Sequence, residues 1–150
     1  MGVLPQQRVS VLTLGVRDLP AMIRFYTDVL GFENRGVAGE VAFLNANGVV
    51  LGLWSEEKLA ADAGVAADRA GNFRGFAIAF NARSTEEVDQ IFAGLEKGGA
   101  RITKAPHKTY WGGYSGYFAD PEGNAWEVAF NPFWTMDAAG HVSVPAPKER

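Results

Sequence analysis

The chain has 150 residues, 47% of them hydrophobic and 21% charged, enough for one well-packed core or for two small halves sharing one. A formal net charge of −3, with aromatics that are not interleaved with Lys or Arg clusters, argues against nucleic acid as a partner. No apolar run approaches the roughly 20 residues that span a bilayer, so no membrane partner is expected, and zero cysteines exclude disulfides, thiolate metal sites and a cysteine nucleophile. The opening Met1-Gly-Val-Leu-Pro-Gln-Gln-Arg8 lacks the charged start and long apolar stretch of a secretory signal, and a cytoplasmic protein is expected.

Arg8 to Val16 alternates, with Leu12, Leu14 and Val16 on one face, and reads as a first strand. Asp18 then caps a helix with Pro20 in its first turn and an apolar stripe of Leu19, Met22, Ile23, Tyr26, Val29 and Leu30, ending at Gly31. A short strand is expected over Glu33 to Gly36. Val41 to Leu44 and Val49 to Trp54 flank Asn45-Ala-Asn-Gly48, a hairpin signal, and close a β-α-β-β-β unit. Ser55 to Gly71, rich in alanine and charge, reads as a surface helix or a linker.

The second half repeats the order. Phe76 to Ala82 alternates as a strand, Ser84-Thr-Glu-Glu87 opens a helix carrying Val88, Ile91, Phe92 and Leu95, and Gly98-Gly99 stops it. Arg101 to Lys104, Ser115 to Ala119 and Ala125 to Asn131 supply three further strands. Leu12-Thr-Leu-Gly-Val-Arg17 and Ile78-Ala-Phe-Asn-Ala-Arg83 occupy matching places, each ending in an Arg before a helix cap. The boundaries are about 8–54 for module one, 55–72 for the linker, 73–131 for module two and 132–150 for a tail. In that tail Phe133 and Trp134 are expected to dock, His141 to be solvated and the last residues to fray.

The last two strands hold the strongest site signal. Asp120-Pro-Glu-Gly123 makes a tight turn, because Pro121 presets its backbone angle and Gly123 accepts a positive φ. Beyond it Trp126, Val128 and Phe130 form a bulky face, while Ala125, Glu127, Ala129 and Asn131 form a small or polar one. A lone carboxylate among alanines marks Glu127 as the site candidate; a solvated edge position accounts for it equally well.

Thr13-Leu-Gly-Val-Arg-Asp-Leu19, Phe25-Tyr26, Leu30-Gly-Phe32 and Gly116-Tyr-Phe-Ala-Asp-Pro-Glu-Gly-Asn-Ala-Trp-Glu-Val-Ala-Phe-Asn-Pro132 together resemble the vicinal oxygen chelate superfamily of glyoxalases, bleomycin-resistance proteins and dioxygenases. The resemblance covers nearly the whole chain and implies a single α+β domain. Its fold would be two tandem βαβββ modules forming a curled mixed sheet around a cavity, helices outside, commonly as a homodimer. Carried over position by position, the family's metal ligands fall at Val11, near Gly52, near Ala77 and at Glu127, and only Glu127 carries a donor. No cofactor is therefore expected; a divalent metal would rest on Glu127, with His107 and acidic groups of a partner subunit.

With Glu127 facing the cavity, strand parity places Val11, Thr13, Val50, Gly52, Trp54, Ala77, Ala79, Ala129 and Asn131 there too. Of these, Val11, Thr13, Trp54, Ala77 and Asn131, with Trp111, are the candidate ligand contacts. Small residues there also suit close approach of helices or of a second subunit. The segment His107-Lys-Thr-Tyr-Trp-Gly-Gly-Tyr114 is either the rim of the site or packing over the sheet end.

Two functions are compatible with this pattern. One is a metal-independent small-molecule-binding protein, similar to the bleomycin-resistance branch, that holds an aromatic or amphipathic ligand. The alternative is a lyase, isomerase or dioxygenase with Glu127 as base or sole remaining metal ligand, and Tyr114 or His107 donating to a developing oxyanion. A member retained for protein interaction is the third and plainest option.

Overall fold

Two alternating runs flank the first helix, and they pair as the sequence requires. In the computed structural model, which describes residues 9, 11–37, 39–63, 66–67, 74, 76–143 and 145, the chain divides into two units, residues 1–68 and 69–150. In the first, β1 (Val11–Val16), β2 (Val41–Asn45) and β3 (Val50–Ser55) form a mixed sheet in the order β1-β3-β2, with β1 parallel to β3. The helix α1 (Leu19–Arg24) begins at Asp18, whose Oδ1 accepts the Ala21 N–H at 3.0 Å. It runs on through a widened π turn, Phe25–Val29, closed by the Leu30 N–H on the Phe25 carbonyl at 3.1 Å. Its Met22, Phe25 and Tyr26 are buried together with Leu14, Val16, Leu44, Leu51 and Leu53, so this unit's core lies on the helix side of the sheet.

The β2–β3 connection is the expected hairpin: Ala46 N–H meets Val49 O at 2.8 Å, with Asn47 and Gly48 at φ 54° and 103°. The strand expected over Glu33 to Gly36 is reduced to one bridge, Asn34 to Leu44. Its cause is local competition, since Asn34 Oδ1 accepts the N–H groups of Gly36 (2.8 Å) and Phe43 (3.3 Å) that a ladder would use. Part of the expected linker is α2 (Glu56–Ala63), which packs on β1 and β3 of the same unit; the rest falls largely outside the described residues. A Cβ on Gly15 would lie 3.2 Å from Glu56 Cα, so glycine lets the helix sit against the strand.

The second unit repeats this plan. Strands β4 (Ala77–Asn81), β5 (Arg101–Lys108), β6 (Tyr114–Ala119) and β7 (Ala125–Phe130) stand in the order β4-β7-β6-β5, with β4 parallel to β7. Helix α3 (Thr85–Lys97) is capped by Ser84, whose Oγ accepts the Glu87 N–H at 3.1 Å, and ends at Gly98. Its Val88, Phe92 and Leu95 pack over β5, β6 and β7. Phe80 of β4 stays 48% exposed at the far edge, although parity places it with the core set.

Strand β5 extends well past its expected end at Lys104, so His107 lies in a strand and not in a loop. The tail forms a small hairpin of β8 (Thr135–Met136) and β9 (Val142–Ser143), with His141 exposed and its Nδ1 3.2 Å from Asp137 Oδ2. The two recurring arginines act alike, since each ties down the segment after its module's last strand. Arg17 Nε donates to Glu56 of α2 at 3.2 Å, and the Arg83 guanidinium donates to the Asp137 carbonyl at 2.8 Å.

Candidate functional site

The turn after β6 fixes the register that builds the site. Gly123, at φ 83°, sends its N–H back to Asp120 O at 2.9 Å, and counting outward pairs Ala119 with Ala125 and Tyr117 with Glu127. Parallel pairing with β4 sets Ala79 beside Glu127, and β5 sets Lys104 beside Tyr117. One row across the sheet is thus Ala79, Glu127, Tyr117 and Lys104. The row on one side is Asn81, Ala129, Ser115 and His107; on the other it is Ala77, Ala125, Ala119 and Arg101. Helix α3 covers the opposite face, where Phe118 and Trp126 stack with centroids 5.8 Å apart.

At the middle of this face, where Ser115, Ala119 and Ala129 are buried and Ala79 and Lys104 are exposed, the Tyr117 hydroxyl donates to Glu127 Oε2 at 2.6 Å, and both of these side chains are half-buried. Glu127 therefore has a neutral partner of the right length, which lowers the cost of holding a carboxylate among alanines. Among the described residues Oε1 carries no further hydrogen bond, so it remains available to a ligand donor.

The carboxylate acts strongly on the phenol. Its hydrogen bond to Glu127, then burial, then the negative charge push the Tyr117 pKa up from 10.0 to about 12. The folded chain then holds this proton more tightly than the unfolded chain does. Stabilisation from the pair is complete below the unfolded pKa of 10.0 and is lost as pH rises toward 12. In a Tyr114→Phe background, because the hydrogen bond to Asp89 raises that phenol too, a tyrosinate absorbance titration should show a late step that disappears in Tyr117→Phe and moves down toward the ordinary tyrosine range in Glu127→Gln. Persistence of the late step in Tyr117→Phe would place it elsewhere.

The other expected site residues divide. His107 shares the open face with Glu127, paired with Ser115, its Nδ1 3.1 Å from the Ala105 carbonyl. Ala77 is on this face too. Tyr114 is not: it belongs to the α3 side, where its hydroxyl donates to Asp89 at 2.6 Å, so it cannot serve a group held by Glu127. Asn131 lies just past β7 and its Oδ1 accepts the Phe133 N–H at 2.9 Å, a local turn contact. Trp111 is half-buried and lies over Gly113, where a Cβ would come within 1.8 Å of its ring. Val11, Thr13 and Trp54 share one face of the first sheet, with Thr13 beside Gly52. Tyr117, Lys104 and Arg101 escaped sequence reasoning. Tyr117 could have been found by counting out from the Asp120–Gly123 turn; the other two could not.

Of the four positions that the family resemblance assigns to metal ligands, Val11, Gly52 and Ala77 offer no side-chain donor atom, and Glu127 already accepts from Tyr117. Among the described residues no group of three or more His, Asp or Glu side chains is placed to hold a metal ion. This donor set does not fit a resident divalent metal at the family position.

Fold and site together define a class: an α+β protein of repeated β-α-β units, each a mixed sheet with a helix on one face. The chain belongs to the Glyoxalase/Bleomycin resistance protein/Dioxygenase superfamily, whose pattern it matches over residues 8–128. It is similar to a glyoxalase-related enzyme from Fulvimarina pelagi (37% identity, TM-score 0.83), covering 94% of this chain and 100% of that one. A lactoylglutathione lyase from Agrobacterium tumefaciens is 29% identical with TM-score 0.67, over 85% of this chain and 96% of that one. A family enzyme from Burkholderia phytofirmans PsJN is 25% identical with TM-score 0.71, over 81% and 96%. No curated protein matches the chain. Among the described residues no helix is long and apolar enough to cross a membrane.

Proposed function

We propose that the chain is a small-molecule-binding protein that works without a metal and holds an aromatic or amphipathic ligand against the open face of the β4–β7 sheet. The observation that carries this reading is the half-buried Tyr117–Glu127 pair beside the exposed Ala79 and the half-buried Ala125. Small side chains leave area for an apolar body to cover, and a carboxylate with a free oxygen supplies one directional contact. The donor set at the family's metal position supports the metal-free form.

The test is a thermal-shift screen of aromatic compounds, run with and without a chelator, on the native chain and on Ala79→Trp. Ala79 is exposed, so the larger ring is tolerated by the fold while it covers the ground beside Glu127. Ligands should raise the melting temperature equally in chelator and should lose their effect in Ala79→Trp, with the circular dichroism spectrum unchanged. Loss of binding on chelation would overturn the metal-free reading, and full binding by Ala79→Trp would move the site off this face.

A further inference from the structure

The β5 edge of the open face carries positive charge, and the way it does so is informative. Plain alternation along β5 would put Lys104 on the same side as Ile102, facing α3. The register breaks that alternation twice, between Ile102 and Lys104 and again between Lys104 and His107. As a result Arg101 pairs with Ala119, Lys104 with Tyr117 and His107 with Ser115, so three nitrogen-bearing side chains stand in successive rows on the Glu127 face. Bulges re-aim side chains in this manner next to binding sites. Gly116 makes room for it, since a Cβ there would lie 2.9 Å from both the Lys104 carbonyl oxygen and the Pro106 nitrogen.

A lysine on an edge strand often serves only to discourage pairing with another sheet. That role needs an exposed charge anywhere along the edge, and it gives no reason for turning Lys104 onto the face that holds Glu127 and, by alternation, Arg101 and His107. Among the described residues neither Arg101 nor Lys104 forms an ion pair. Glu127 is the one acidic side chain among the twelve register positions of this face. The face is therefore polarised along a row, with a carboxylate on β7 and cations on β5, two strand spacings or about 10 Å apart.

We infer that the ligand of this face is an amphipathic organic acid, its anionic group held by Arg101 and Lys104 and a hydroxyl some 10 Å away donating to Glu127 Oε1. This rests on the reading that the face takes a small molecule. It adds the charge, the polarity and the length of that molecule.

Calorimetric titration with trans-4-hydroxycinnamate and with its methyl ester tests the assignment on the full chain, because the pair keeps the ring and phenol and differs in charge. The acid should bind about tenfold more tightly than the ester. In Arg101→Gln/Lys104→Gln, two exposed changes, that preference should vanish while ester affinity is kept. Equal affinity for acid and ester would overturn the anion assignment and leave the binding reading standing. A preference that survives in the double variant would overturn the role of β5. Binding of neither compound at millimolar concentration would overturn both.

Discussion

Asp120→Ala is expected to destabilise the chain by roughly 3 kcal/mol, the largest effect of any single change outside the hydrophobic core. Asp120 is 2% exposed and organises the β6–β7 turn with both oxygens. Its Oδ1 accepts the N–H of Glu122 at 3.0 Å and that of Asn124 at 2.9 Å, and its Oδ2 accepts Asn124 Nδ2 at 2.6 Å. Alanine leaves the buried Asn124 donors without acceptors, each at a desolvation cost that no new contact offsets. The companion Asp120→Asn separates this account from a general intolerance of the site. Asn124 Oδ1 is buried and has no partner among the described residues, so rotating the Asn124 amide would let it accept from an amide at position 120. Urea unfolding followed by circular dichroism should therefore show Asp120→Asn to be far milder than Asp120→Ala. Equal losses would mean that charge, and not hydrogen bonding, holds the turn.

Gly116→Ala is expected to cost about 1–3 kcal/mol, because the added methyl meets atoms that cannot rotate away. Its Cβ would be 2.6 Å from the Phe92 ring as well as 2.9 Å from the β5 backbone at Lys104 and Pro106. A flexible side chain would yield; a strand backbone pinned between β6 and α3 must shift. Such a shift disturbs the irregularity that places Lys104 on the Glu127 face, so binding of an anionic probe should weaken along with stability. Gly94→Ala is the control of opposite sign. It lies in α3, where among the described residues nothing comes within 4 Å of an added methyl, and alanine there should stabilise by about 0.5–1 kcal/mol through helix propensity. If Gly116→Ala proves as harmless as Gly94→Ala, the close approach of β5 to β6 is not a constraint on the site.

Much of this protein could be read locally. The hairpin at Asn47-Gly48 and the turn at Asp120–Gly123 follow from residues that tolerate positive φ, and the helix starts at Asp18 and Ser84 follow from side chains that satisfy free N–H groups. Period-two alternation separated Glu127 and its alanines from Trp126 and Val128, and the internal repeat of elements was visible in their order. Each of these depends on neighbours a few positions apart in the chain.

What only the tertiary structure decided depends on contacts between distant positions. Alternation could not anticipate that β5 would run to Lys108 and slip twice, because the slips are set by where Gly116 and Phe92 let its backbone approach. Alternation needs the count outward from the Asp120–Gly123 turn to set Tyr117, and not Tyr114 on the opposite face, across from Glu127. Tyr114 is bound to Asp89 of α3 and Tyr117 to Glu127 of β7. The sequence by itself determined the repeated α+β plan and a carboxylate on a face of small residues, since pattern and turn chemistry are local. Packing across strands decided which cations of β5 stand opposite that carboxylate, since the register of β5 on β6 is a relation between segments that neither segment contains.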